Sequence, residues 1–428
     1  MAPRPAAGKA PRLAGLLGHR VTRNALALGS VQVANYLVPL LLLPFLTRQL
    51  GMATFGTVAV VLAAIQVAFV VTDYGFSLSA TLEVSRHRDD RDWVNRMIGA
   101  VFVAKGLLIG ALVAALGLAL LVHEPLWAYR AYGGAALLCV IAQAFQPAWL
   151  FQGIERMRAL AACLVVGKCL YAGLVLLLVR TPEDGPGAVF CWGVAQGTAT
   201  LLSLWLMSRQ GYRGARPSAR AVADTLRAGA GFFLSRLAVS LYTSANSLFL
   251  GFQGPLGVAL YAVCEQVYKA GQSVTAPLTT ALFPYMARRR DWGFFFRATG
   301  LAGLALGLGC LTVGGWAGPL LALAFGEEYR AAAPVLRVFL CTVLVNYLAV
   351  AFGYSAYAAL GRVGVANVTV ILGGTMHVGL LAGLYGLGRA TPLNVALATL
   401  FTETLVMTLR VAGVVWLRRR QAGREAAP

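Results

Sequence analysis

Apolar runs of about 20 residues recur along the whole chain, the length an α-helix needs to cross the ~30 Å hydrocarbon core of a bilayer. Hydrocarbon offers no water to a peptide group, so only helices and closed barrels can span it. The runs are continuous, not alternating ten-residue segments, which selects helices over a barrel. Composition agrees: the 428 residues are 59% hydrophobic and 12% charged, about half the charge that a soluble domain carries. The expected fold is therefore all-α and polytopic. The spans fall near residues 25–46, 54–73, 97–122, 131–151, 160–179, 188–207, 232–252, 258–286, 295–316, 335–358, 364–386 and 393–417.

The net charge of +20 would point a soluble protein toward nucleic acid. Here the basic residues sit in short loops between apolar runs, with no platform of exposed aromatics for stacking bases, so nucleic acid is not an expected partner. Their distribution reports topology. The N-terminal tail, the segments from Arg86 to Arg96 and from Arg209 to Arg227, the Arg288–Arg290 triplet, Arg362 and the Arg418–Arg420 triplet alternate with loops that hold few basic residues, Arg48, Arg130, Arg180, Arg330 and Arg389. Lys and Arg remain on the cytoplasmic side, which places both termini in the cytoplasm and makes the span count even. The first apolar run is too long for a signal-peptide core and is expected to stay as the first span. The seven cysteines all lie in apolar runs without CxxC spacing and read as packing residues.

The longest polar interruption, around 208–231, separates two sets of six spans. It predicts bundles over residues 1–216 and 217–428. A short repeat accompanies it. Leu50-Gly51 followed by Phe55 opens span 2, Leu256-Gly257 followed by Tyr261 opens span 8, and Gln66 matches Gln272 at the same offset. Two parallel six-helix halves would be related by a pseudo-two-fold axis along the membrane normal, with a substrate site between them.

Ionisable groups inside spans are costly unless paired or hydrated, and so carry information. Lys269 lies near the middle of span 8 with Glu265 one turn before it. The two can form an intrahelical ion pair, or Lys269 can face a hydrated cavity and bind an anion. Arg236, one turn into span 7, can reach the interface or stand at the inward mouth of such a cavity, where a guanidinium suits phosphate. Span 7 also carries Tyr242, Thr243, Ser244, Asn246 and Ser247, too polar for a lipid-facing helix. Span 1 carries Asn35 and span 2 Gln66. Asp73 either terminates span 2 or, like Glu265, is a candidate for coupling to a proton or sodium ion. Lys105 and Lys168 read as packing or interface-reaching residues, and His377 as a hydrogen-bonded core residue. No nucleotide-binding loop, zinc-protease motif, nucleophile elbow or paired-cysteine metal motif occurs. The expectation is a non-enzyme without metal or cofactor.

The helix ends carry a family resemblance. Asn35-Tyr36 to Pro39, Pro44-Phe45-Leu46-Thr47-Arg48-Gln49-Leu50-Gly51 to Phe55-Gly56, Thr72-Asp73-Tyr74-Gly75-Phe76, and Pro147-Ala148-Trp149-Leu150-Phe151-Gln152-Gly153-Ile154-Glu155 resemble bacterial polysaccharide-biosynthesis flippases of the O-antigen type. So do Tyr242-Thr243 with Asn246, the stretch from Tyr261 to Pro284, and Phe325-Gly326 to Tyr329. That family belongs to the superfamily of multidrug, oligosaccharidyl-lipid and polysaccharide exporters. The resemblance implies two six-helix bundles around a cationic cavity in the bacterial inner membrane. It implies alternating access that carries a polyprenyl-pyrophosphate-linked oligosaccharide to the periplasmic leaflet, with membrane lipids and other polysaccharide-biosynthesis membrane proteins as partners. On that view Arg236 and Lys269 bind pyrophosphate. Asn35, Gln66, Tyr242 and Asn246 supply sugar contacts or cavity polarity. Two alternatives stand beside it, a small-molecule exporter of the same superfamily and a membrane oligosaccharide polymerase or ligase.

Overall fold

The structure, a computed structural model, describes residues 20–425, with side chains except at 20–37, 234, 235, 238–245, 363 and 422–425. The described chain is helical throughout. Helix α1 (Arg20–Asp73) is broken at Gly51, whose φ of 68° and ψ of 167° only glycine adopts without strain, so it forms two arms that cross and recross the bundle. Then follow α2 (Phe76–Arg86), α3 (Arg91–Val122), α4 (Arg130–Ala144), the short α5 (Ala148–Gly153), α6 (Met157–Leu178) and α7 (Gly185–Arg209). The second set comprises α8 (Ala219–Gly251), α9 (Pro255–Arg289), α10 (Trp292–Gly315), the short α11 (Ala317–Phe325), α12 (Ala333–Val350), the one-turn α13 (Ala356–Ala359), α14 (Val363–Gly386) and α15 (Pro392–Glu425).

Counting the arms of α1 separately, and α4 with α5 and α12 with α13 as single broken spans, gives the expected twelve. Nine helical stretches among the described residues are long and apolar enough to cross a membrane, one of which (38–86) contains the Gly51 break. The fully described α9 is not among them, because Glu265, Gln266, Lys269, Gln272 and Ser273 interrupt its apolar character. Conversely, α10 exposes Leu301, Leu304, Leu308 and Leu311 along one face. At i, i+3, i+7 and i+10 these form a lipid-facing stripe. The loop expected between spans 9 and 10 is instead α11 and a 3₁₀ turn (Glu327–Ala332), and the segment after span 2 is the helix α2.

The basic loops gather at one end. Arg88 lies 3.5 Å from Glu155, Arg156 donates to Gln210 at 3.1 Å, and the Arg213 amide donates to Asn95 at 2.8 Å, tying the loops before α3, before α6 and before α8 together. The two ends differ in packing. At the far end one apolar core draws on both sets: Leu50, Phe55, Ile65, Val175 and Val189 with Tyr261, Phe325, Tyr329 and Phe339. At the basic end the cores are separate. One contains Phe76, Val84, Ile98, Trp149 and Phe151, into which Val222 of α8 also packs. The other contains Leu282, Met286, Phe295, Tyr357 and Val414.

Candidate functional site

Next to the shared core, helices of the two sets enclose a cavity of about 760 Å³, within the ~300–1,000 Å³ range of ligand sites. Helical periodicity decides which side chains reach it. On α9, Glu265, Lys269 and Gln272 stand at i, i+4 and i+7 and share one face, which lines the cavity. The first set contributes Gln66 and Phe69 from α1, Gln143 and Gln146 from the end of α4, Lys168 and Tyr171 from α6, and Trp192 and Gln196 from α7. The pairs on α1, α6 and α7 are spaced by three or four residues, hence on one helical face, whereas Gln146 lies in the break just past α4. Between these pairs the wall is largely apolar, with Leu42, Leu46, Phe55 and Leu62 of α1 among it.

Lys269 Nζ lies 3.0 Å from Glu265 Oε2, with the lysine side chain 39% exposed and the carboxylate 15%. The intrahelical pair and the cavity-facing lysine are therefore one arrangement. With Lys168, two cations stand against one carboxylate in the wall, so its net charge is positive. Gln272 donates to the Tyr268 hydroxyl at 2.9 Å and to Asn346 at 3.0 Å.

The remaining expected residues lie elsewhere. Arg236 does not line the cavity. It donates to Ser77 Oγ at 2.9 Å and lies 4.0 Å from Asp73, while Ser77 donates to Asp73 at 2.8 Å. Beside it Tyr74 stacks on Phe233, ring centroids 4.7 Å apart. Gly75, at φ 79°, comes so close to α8 that a Cβ would stand 2.7 Å from Phe232 Cβ. Arg236 and Asp73 thus join α1 to α8 at the basic end. Asn246 is 3% exposed and turned into the second set. Its Oδ1 accepts from His377 Nε2 at 2.8 Å and its Nδ2 reaches Thr399 at 3.5 Å. The side chains of Asn35 and Tyr242 lie outside the described residues.

Several site features were passed over in the sequence. Lys168, expected to pack or reach the interface, lines the cavity. Gln143, Gln146, Gln196 and Trp192 were not singled out, because uncharged amides in apolar runs do not register in a search for charge. Lys105 is 2% exposed and donates to the Ala144 carbonyl at 2.6 Å, where Pro147 ends α4. Arg410, 3% exposed, serves a second break: it donates to the Ala349 and Ala366 carbonyls at 2.7 and 3.2 Å and to Thr369 Oγ1 at 2.9 Å, beside the π-turn that follows α12.

A family model described as polysaccharide biosynthesis protein matches residues 21–289. Two curated proteins provisionally named O-antigen transporters are similar to this chain. One, from Shigella dysenteriae, is 25% identical over 92% of this chain and 99% of its own length. The other, from Escherichia coli K12, is 30% identical over 61% and 64%. Among solved structures, the lipid II flippase MurJ in an inward closed conformation superposes with a TM-score of 0.69 at 10% identity, over 92% of this chain and 87% of that one. An inward-facing multidrug transporter of the MATE family superposes at 0.68 and 14% identity, over 94% and 100%. At such identities these two speak for the fold.

Proposed function

The chain belongs to the polysaccharide biosynthesis protein family, and on that premise we propose that it flips a polyprenyl-pyrophosphate-linked oligosaccharide from the cytoplasmic to the periplasmic leaflet of the bacterial inner membrane. The observation that carries this reading is the net-positive, amide-rich cavity between two sets of helices. A pyrophosphate requires cations, a glycan requires amides and aromatic faces, and the wall supplies both. An apolar polyprenyl chain needs no site of its own, because it can remain in lipid.

In the proposed cycle the basic end is cytoplasmic, and the bundles 1–216 and 217–428 move as rigid units about the cavity. Lys269 receives the pyrophosphate, which displaces Glu265 from its ion pair, and Lys168 adds a second positive charge. Released Glu265 is then free to take up a proton or cation, which would couple transport to an ion gradient. Asp73 and Arg236 belong to the contact at the cytoplasmic end and act on access. Gln66 remains a glycan contact, whereas Asn246 holds α8 to α14. The chain transports and catalyses no covalent step.

The reading is tested in cells that lack the protein. Lipid-linked glycan should accumulate on the cytoplasmic face, wild-type protein should restore its exposure on the periplasmic face, and Lys269→Ala at equal membrane abundance should not. Normal periplasmic exposure in the deletion strain, with no related transporter to replace it, would refute the reading.

A further inference from the structure

The first set of helices holds a cluster that the proposed phosphate contacts do not use. Gln196 of α7 donates from Nε2 to Oε1 of both Gln143 and Gln146 at the end of α4, at 3.1 Å to Gln146 and closer still to Gln143. Both amide protons of Gln196 are spent on these bonds. The Nε2 groups of Gln143 and Gln146 are left over, and that of Gln146 has no partner and is enclosed by the surrounding packing, although the residue itself is 5% exposed and lines the cavity. A buried donor without an acceptor is costly, more so where lipid replaces water. It is tolerated where a ligand completes it.

The surroundings identify the ligand's chemistry. Trp192 lies one turn from Gln196 on α7 and lines the same cavity, its ring held by an edge contact with Phe69 at 5.6 Å. A fixed indole beside amide donors offers an apolar face for the C–H side of a pyranose and hydrogen bonds for its polar substituents. The cluster is uncharged and lies on the opposite set of helices from the Lys269–Glu265 pair. The break at Pro147, with Lys105 on the Ala144 carbonyl, fixes where Gln146 stands.

We propose that Gln143, Gln146 and Trp192 form a sugar subsite that binds a pyranose of the lipid-linked glycan, a sugar oxygen displacing the local packing to accept from Gln146 Nε2 and the ring lying on Trp192. The subsite rests on the flippase reading above, and it gives the sugar the uncharged groups of α7 and the end of α4, leaving Lys269 of α9 and Lys168 of α6 for the pyrophosphate.

The test compares two probes, polyprenyl pyrophosphate and polyprenyl-pyrophosphoryl-N-acetylglucosamine, titrated against the purified full chain in nanodiscs. Wild type should bind the sugar-bearing probe more tightly. Gln146→Met, uncharged and of similar length, and Trp192→Ala should each weaken the sugar-bearing probe about tenfold, the equivalent of one or two lost hydrogen bonds. Both should leave the bare pyrophosphate within about twofold. Gln143→Leu provides a further variant should Trp192→Ala not fold, and Lys269→Ala should weaken both probes. Equal loss of both probes in the subsite variants, or no loss of either, overturns the subsite and leaves the flippase reading standing. Failure of wild type to bind either probe overturns both.

Discussion

Lys105 and Arg410 each place a cation against backbone carbonyls that a break in a helix has released. Ala144 O loses its intrahelical donor where Pro147 ends α4, and Lys105 Nζ replaces it. Ala349 O lies at the transition from α12 into a π-turn, and the Arg410 guanidinium donates to it while also binding Ala366 O and Thr369. Removing either cation takes a buried donor away from these carbonyls. Lys105→Met should lower stability by about 1–3 kcal/mol and Arg410→Met by at least as much, read as midpoints of thermal unfolding in detergent against an exposed arginine such as Arg420→Met. A loss no larger than that control would show that the carbonyls find other donors. Lys105 was visible in the sequence as an intramembrane charge but not as a helix-end ligand, because the partner is a backbone atom 39 residues away. Arg410 was missed near the end of an apolar run, where a basic residue is easily taken for the edge of the span. Lys269, Glu265 and Gln66 were legible because helical spacing alone puts polar groups of a mid-membrane helix on one face.

The elements meet at glycines whose positions decide how closely the two sets approach. Gly51 needs its φ of 68° to turn between the arms of α1 and has open space around it, so Gly51→Ala should cost the backbone strain alone, about 1–3 kcal/mol. Gly56 has no such dihedral requirement, but a Cβ there would stand 1.9 Å from Pro255 O. Gly56→Ala must therefore separate α1 from α9 at the far end. It should destabilise while Gly106→Ala, which meets nothing within 4 Å, should be neutral or stabilising. Equal melting of the Gly56 and Gly106 variants would contradict the tight contact. At the surface, Asp184 and Asp291 are held below the usual carboxylate range. The Arg180 and Thr181 amides bind the first, and the Phe294 amide at the start of α10 binds the second. A depressed folded value contributes stability that is complete above the unfolded value and is lost as pH falls through the folded one. These two contacts should therefore leave unfolding midpoints unchanged between pH 8 and 5 and matter only below about pH 4. Runs of apolar residues revealed most elements. The helices α2 and α11 were missed because they are too short or too polar to read as spans, and the breaks at Pro147 and after α12 because a broken span keeps its overall length.

The whole molecule has a shared core at its far end, separate cores at its basic end, and a polar cavity beside the shared core. The twelve spans were legible in the sequence, since alternating loop charge and run length are local signals. Which helices enclose the cavity was not, because that depends on contacts between residues far apart in the chain, such as Gln143 with Gln196. If the two bundles rock about the cavity, linking Tyr74→Cys to Phe233→Cys across the basic end with a short bifunctional thiol reagent, in a background without the native cysteines, should arrest transport. Cleavage of the linker should restore it. Unimpaired transport by the linked protein would exclude movement at that contact. The most direct test of the central claim is flipping by purified protein in proteoliposomes, using a fluorescent polyprenyl-pyrophosphate oligosaccharide and a quencher confined to one leaflet. The account predicts that wild type moves the probe between leaflets and that Lys269→Ala, folded and inserted equally well, does not. Wild-type vesicles that leave the probe in its original leaflet while moving small cationic drugs would contradict it.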